Sequence, residues 1–249
     1  MNQRHCNRTL KFKDMKSKIT ALVFLLAILG TQLLFGQKAE TRKLSAFTEI
    51  SLRIGANVHL IQGNDQTVEV KGTESTLAKL ITDVKDRKLV IRYPTESFLS
   101  KWNPGPVDIF ITIPQIDALD VLGSGSILAD DQIESRILEL RVSGSGDIRI
   151  GKLKAEKVSS LLSGSGSLYI GGKETASEFK TTLSGSGNVK AAGFSADNVN
   201  VKIGGSGSCW VTAAKKLVVR IVGSGSVIYH GNPAVDSNIL GSGQIKKEE

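Results

Sequence analysis

The tripeptide Gly-Ser-Gly recurs seven times in the second half of this chain. Its first glycine stands at Gly123, Gly144, Gly164, Gly185, Gly205, Gly223 and Gly241, and its second at Gly125, Gly146, Gly166, Gly187, Gly207, Gly225 and Gly243. The steps between copies are 21, 20, 21, 20, 18 and 18 residues, too regular for a random Gly/Ser linker. A fixed period near 20 residues marks a solenoid, in which each repeat buries its apolar face only by stacking on the next.

Aligning the copies on their first glycine exposes apolar columns. Two residues before it stand Val121, Val142, Leu162, Leu183, Ile203, Ile221 and Ile239; four residues after it stand Ile127, Ile148, Leu168, Val189, Cys209, Val227 and Ile245. The column six before is apolar except at Asp117. Intervening positions such as Glu139, Arg141, Arg149, Lys180 and Lys202 are polar. This period-two alternation, rich in β-branched residues, predicts two half-buried strands per repeat and an all-β solenoid. Whether a full coil takes one unit or two is left open by the period.

The fourteen glycines are read as structural turns. A tight reversal needs positive φ, which glycine adopts without steric cost, and side chains at stacked corners would crowd their copies at roughly 4.8 Å spacing. The serine hydroxyls are expected to ladder along the corner by hydrogen bonds to neighbouring backbone. A phosphate-loop reading fails, because the position that Gly-x-Gly-x-x-Gly requires to be glycine is Leu128, Arg149, Tyr169, Lys190, Trp210 and Ile228 in successive copies. A serine-nucleophile reading fails too, since seven equivalent serines cannot each have a base.

Upstream, 47–54, 58–61, 67–72, 88–93 and 107–113 read as strands that continue the coil with other corner residues, and Leu77 to Val84 as a short helix or irregular turn. Residues 94–106, with Pro94, Pro104, Pro106 and Trp102, are expected to leave the coil. Residues 37–249 then form a single solenoid domain: 37–116 as N-terminal degenerate coils carrying the 94–106 loop, 117–249 as the Gly-Ser-Gly repeats. About ten coils at about 4.8 Å each would extend on the order of 50 Å. Lys246-Lys247-Glu248-Glu249 is a charged deterrent to edge pairing at the C-terminal end.

Residues 1–36 read as a secretory signal peptide, with Lys11, Lys13, Lys16 and Lys18 ahead of an apolar run from Ile19 to Leu29. The whole chain carries a net charge of +8, but removing this segment leaves 26 basic against 23 acidic residues. Nucleic acid is therefore not an expected partner. The expected location is the periplasm, the outer-membrane surface or the exterior. Cys6 leaves with the leader and Cys209 stays alone in an apolar column, so no disulfide framework is expected.

Few residues remain for chemistry. His59 and His230 lack neighbours at metal-ligand spacing, so no metal or other cofactor is expected. Asp117, Asp120, Asp130, Asp131 and Glu134 cluster in sequence near Arg136, but later repeats do not carry these acids, and a solvated corner is the expectation. Trp210 and Tyr169 fall on outward positions where exposed rings can stack on sugars; isolated surface aromatics or an oligomer contact are the plain alternative. The 94–106 loop with Trp102, the one segment that breaks the ladder, is the first-choice contact for a partner or ligand.

Several motifs together resemble one known family. They are Phe47, Ile50 and Gly55, the Ile61-Gln62-Gly63 step, the strand from Lys88 to Ile91, the alternating run from Val107 to Pro114, and the Ser-Gly-Ser-Gly ladder. The chain resembles the auto-transporter adhesin family with the head GIN domain, common in Bacteroidetes, over about Leu44 to Ile245. That resemblance implies a right-handed, pectin-lyase-like β-helix with Gly-Ser-Gly at tight turns, and it brings no catalytic residues. The expected function is a non-enzymatic adhesin or interaction scaffold binding a cell-surface glycan or protein, with homo-oligomers as a further expectation. A polysaccharide-active enzyme on the same architecture and a structural envelope component are the alternatives.

Overall fold

The computed structural model describes residues 37–95 and 103–248. Residues 38–249 cluster into one compact unit. The chain is 71% strand and 2% helix, with a β-solenoid of about 6 turns, on which the N-terminal strands stack as further layers. Strands one repeat apart pair in parallel and in register. Ile148 lies between Ile127 and Leu168, and Leu162 lies between Val142 and Leu183. One repeat is therefore one full coil.

The corners explain their glycines. The first glycine of every triplet has φ between +118° and +127°, a conformation closed to ordinary side chains. The second is held by close approach: a methyl on Gly166 would overlap the carbonyl oxygen of Gly146 and stand 2.8 Å from Val142 Cγ1. The corner ladder runs through backbone and not through serine hydroxyls as expected. The Gly123 carbonyl accepts the N–H groups of Ser145 (3.0 Å) and Gly146 (2.8 Å), and the Gly144 carbonyl those of Ser165 and Gly166. Small corner residues let each coil come close enough to make these two bonds.

The aligned columns form the core. Val121, Val142, Leu162, Leu183, Ile203 and Ile221 are buried, as are Ile127, Ile148, Leu168, Val189, Cys209 and Val227. Each such aliphatic side chain contributes roughly 1.5–3 kcal/mol by burial. Two polar residues interrupt a neighbouring column, and they satisfy each other: Ser160 Oγ donates to Thr181 Oγ1 at 2.7 Å.

Each coil has a third segment that the two-strand expectation missed. Residues 132–135 pair with 152–155 after a register shift, and their inward side chains are Ile133 and Leu153, joined in later coils by Phe194 and Ala213. In the coil between Gly164 and Gly185 this segment contributes Gly172 and no large apolar side chain. Phe194 fills the space from the next coil, and its ring meets Phe179 edge-on at 5.9 Å.

The N-terminal region does not simply continue the winding. The strand Glu49–Leu52 inserts between Lys88–Arg92 and Ala118–Gly123, and Asn57–Gln62 inserts between Asp108–Ile113 and Ser126–Gly144. The first coil in sequence is thus the second in the stack. Thr67–Thr73 and Ile81–Lys85 run antiparallel to Asp108–Ile113 and Lys88–Arg92, covering the edges that would otherwise be open. The helix is Glu74–Leu77, and residues 81–84, expected to be helix or irregular turn, belong to the strand Ile81–Lys85. The hairpin Ile81–Arg92 turns at Asp86 and Arg87, both at positive φ.

Gln62 stitches this inserted coil in place. Its amide nitrogen donates to the carbonyls of Pro114 and Glu134, each at 3.0 Å, and its Oε1 accepts the Glu134 N–H at 2.6 Å. The side chain substitutes for the strand that is missing beneath residues 132–135.

Candidate binding face

The strands that follow the corners place one outward residue per coil in a continuous row. Pairing fixes its order as Phe110, His59, Leu128, Arg149, Tyr169, Lys190, Trp210, Ile228 and Lys246. They face out because their chain neighbours Ile148, Leu168, Val189, Cys209 and Val227 face in. Parallel stacking sets successive side chains about 4.8 Å apart. Residues about 20 apart in sequence thereby become a linear array.

The array is organised by ring and cation contacts. His59 stacks on Phe110 with centroids 4.8 Å apart and planes 13° from parallel, and Lys71 Nζ lies 4.3 Å from the Phe110 centroid. The Arg149 guanidinium sits 5.0 Å from the centre of the Tyr169 ring, which is 39% exposed. One flank of the row is polar, with Ser167, Asn188, Ser208 and Ser226 in successive coils. Asp147 in the same flank is engaged by the Ser167 N–H at 2.9 Å. The other flank is small, with Gly171, Ala192 and Thr212, so the rings of Tyr169 and Trp210 border a shallow surface.

The strands that precede the corners present a different surface. Lys88 pairs with Glu49 at 2.9 Å, Lys180 with Glu178 at 2.8 Å, Arg220 with Asp236 at 2.9 Å, and Arg141 with Glu139. The Arg220 guanidinium holds the exposed Asp236 carboxyl below its usual range. Charges on this side are largely compensated.

The acids grouped in sequence near the first repeat do not converge. Asp117 faces Arg87 at 3.9 Å, and Glu134 faces Lys154 at 3.8 Å on the third segment of the coil. Asp130 and Asp131 lie exposed at a corner. Asp120 is half-buried, and burial pushes its carboxyl up, opposed by a 3.3 Å bond from Ser51 and by Lys88, Arg141 and Arg53. Among the described residues no three or more His, Cys, Asp or Glu gather to hold a metal ion. His230 sits 3.6 Å from Glu248. Cys209 is fully buried, and burial holds its thiol far above the ordinary range.

Of the three aromatic candidates, Tyr169 and Trp210 fall in the same row, two coils apart, with Lys190 between them. Trp102 lies outside the described residues. Gly105, within the same 94–106 stretch, donates its N–H to Thr76 Oγ1 at 3.1 Å. Arg149, Lys190 and Phe110 were not singled out from sequence, and His59 was weighed only as a metal ligand. The signal for the first two was present, five residues after the first glycine of their repeats. His59 and Phe110 join the row only through the inserted coil.

Comparison with known proteins decides the family. The model of the "putative auto-transporter adhesin, head GIN domain" family matches residues 46–233. The chain belongs to this family. Solved structures share the fold. A putative adhesin from Bacteroides fragilis NCTC 9343 superposes with a TM-score of 0.80 at 23% identity, covering 86% of this chain and 98% of the other. A putative lipid binding protein from Parabacteroides distasonis ATCC 8503 gives 0.73 at 24% identity, over 87% and 98%. A putative adhesin from Parabacteroides merdae ATCC 43184 gives 0.69 at 20% identity, over 87% and 98%. At these identities the likeness is one of fold. No curated protein matches the chain.

Proposed function

We propose that this head GIN domain is an exported, non-catalytic scaffold that binds a cell-surface glycan or protein along its outward ladder. The observation that carries the reading is the unbroken row from Phe110 to Lys246, in which rings and cations line one face of the solenoid. Flat, half-exposed aromatic residues supply contact area, while the rigid coil stack holds them at fixed spacing and little conformational entropy is lost on binding. Trp102 in the 94–106 loop belongs to the proposal as a second contact.

A hydrolase on this fold would need an acid and a base facing one groove. Asp120, Asp130 and Glu134 instead stand on different segments of their coils. A lipid site would need an apolar cavity. An open concavity at Glu134, Arg136, Lys154 and Glu174 is charged, with Lys154 3.8 and 3.6 Å from Glu134 and Glu174, and a second places Leu44 and Val68 beside Arg42, Lys43 and Gln66.

Binding of the protein to whole bacterial cells and to a panel of immobilised polysaccharides tests the reading. Trp210→Ala with Tyr169→Ala is expected to lower binding at least about tenfold, roughly 1.4 kcal/mol, while the melting temperature stays within a few degrees. Undiminished binding by this double variant would remove the ladder from the account.

A further inference from the structure

Resting on that reading, the pattern of charge along the ladder narrows the ligand. From Leu128 to Lys246 the outward row contains no acid. Four consecutive coils within it present Arg149, Tyr169, Lys190 and Trp210: cation, ring, cation, ring. These four span about 14 Å, three coil spacings.

The two cations differ from the paired cations of the other face, where Lys202, between Thr182 and Arg220, is the exception without an ion pair among the described residues. Arg141, Lys180 and Arg220 each have a carboxylate partner within ion-pair distance. Among the described residues Lys190 and Arg149 have none; Arg149 instead lies against the Tyr169 ring. The nearest acid along the flank, Asp147, accepts the Ser167 N–H at 2.9 Å and forms no ion pair with either cation. An uncompensated pair of cations, each next to a ring in the row, matches a ligand whose anionic groups alternate with flat apolar surfaces.

We propose that this face takes an extended acidic polysaccharide running along the ladder. Sugar rings would lie on Tyr169 and Trp210, and their carboxylate or sulfate groups at Arg149 and Lys190. The C–H faces of a pyranose pack on an aromatic ring, and a guanidinium or ammonium beside it attracts an anionic substituent on the same or the next sugar. The hydroxyls and amide of Ser167, Asn188 and Ser208 flank the rings and meet the sugar hydroxyls. A single-stranded nucleic acid also combines flat rings with negative charge. The hydroxyl-bearing flank of Ser167, Asn188 and Ser208 favours the glycan.

Four probes decide: polygalacturonate, dextran sulfate, unmodified dextran and single-stranded DNA, each titrated against the protein at two salt concentrations. The expected result is binding of polygalacturonate, dextran sulfate or both, weakened by salt, with at least about tenfold weaker binding of neutral dextran. The uronate and sulfate arms identify which anionic group is read. Lys190→Glu and Trp210→Ala each lower affinity for the acidic glycan about tenfold or more, Lys190→Arg retains it, and Lys202→Glu on the other face changes it less than twofold. Equal binding of neutral dextran with no effect of Lys190→Glu overturns the inference and leaves the scaffold reading standing. So does tighter binding of DNA than of either acidic glycan, or ladder-dependent binding of cells with no glycan bound. If Trp210→Ala leaves both glycan and cell binding intact, the inference and the scaffold reading fall together.

Discussion

Gly166→Ala is expected to destabilise the protein by about 3 kcal/mol or more, lowering its melting temperature by roughly 10 °C. The cause is stacking. The added methyl would overlap the Gly146 carbonyl oxygen and stand 2.8 Å from Val142 Cγ1. Relief requires moving one coil away from the next, which breaks the bonds that Ser165 and Gly166 make to the Gly144 carbonyl. Gly123→Ala separates this effect from the cost of turning. Gly123 has φ +127°, like its copies, but a methyl there meets nothing within 4 Å because no triplet corner lies beneath it. It is expected to cost only the backbone strain, about 1–2 kcal/mol. Thermal melts of the two variants should therefore differ, and equal losses would mean that the corners are ordinary turns whose stacking contributes nothing.

Phe179→Ala is expected to cost about 3–5 kcal/mol, measured by denaturant or thermal unfolding. Phe179 is fully buried in the coil whose third segment offers only Gly172, and its ring meets Phe194 of the next coil edge-on at 5.9 Å. Nothing adjacent can collapse into the space, because the coils above and below are fixed by parallel pairing. Phe179→Leu retains most of the volume and is expected to lose less than half as much, about 1–2 kcal/mol. A loss below about 1 kcal/mol for the alanine variant would show that the stack relaxes around the gap.

Much of this fold was legible because one repeat is one coil, so columns in sequence became rows in space. The two columns flanking Gly-Ser-Gly turned out to be core along the stack, Cys209 included. The third segment was not legible because its inward residues drift in spacing. Ile133, Leu153 and Phe194 follow their first glycines by ten, nine and nine residues, and the stacked Ala196 and Ala213 follow theirs by eleven and eight, since register shifts near Ile150 and Ala191 absorb the difference. A fixed-offset alignment cannot see them. The order of the N-terminal coils was hidden for another reason. Nothing local in 49–62 says that these strands pair on one side with 88–113 and on the other with 118–128; that depends on Gln62 bridging Pro114 and Glu134 across the crossing.

The candidate face shows the same division. Tyr169 and Trp210 were visible as outward aromatics. Their relation to Arg149 and Lys190 became visible only once one repeat was known to make one coil, because a two-unit coil would put Tyr169 beside Trp210 with no cation between them.

Disulfide trapping measures that relation directly. Paired residues on adjacent parallel strands lie about 4.8 Å apart, within reach of a disulfide, and residues two coils apart lie about 9.6 Å apart, beyond it. In a background lacking Cys6, Tyr169→Cys with Lys190→Cys is expected to close rapidly under mild oxidation, while Arg149→Cys with Lys190→Cys stays reduced; Cys209 is buried and takes no part. Closure of the second pair in preference to the first would contradict the account, since coils would then take two repeats and the ladder of alternating rings and cations would not exist.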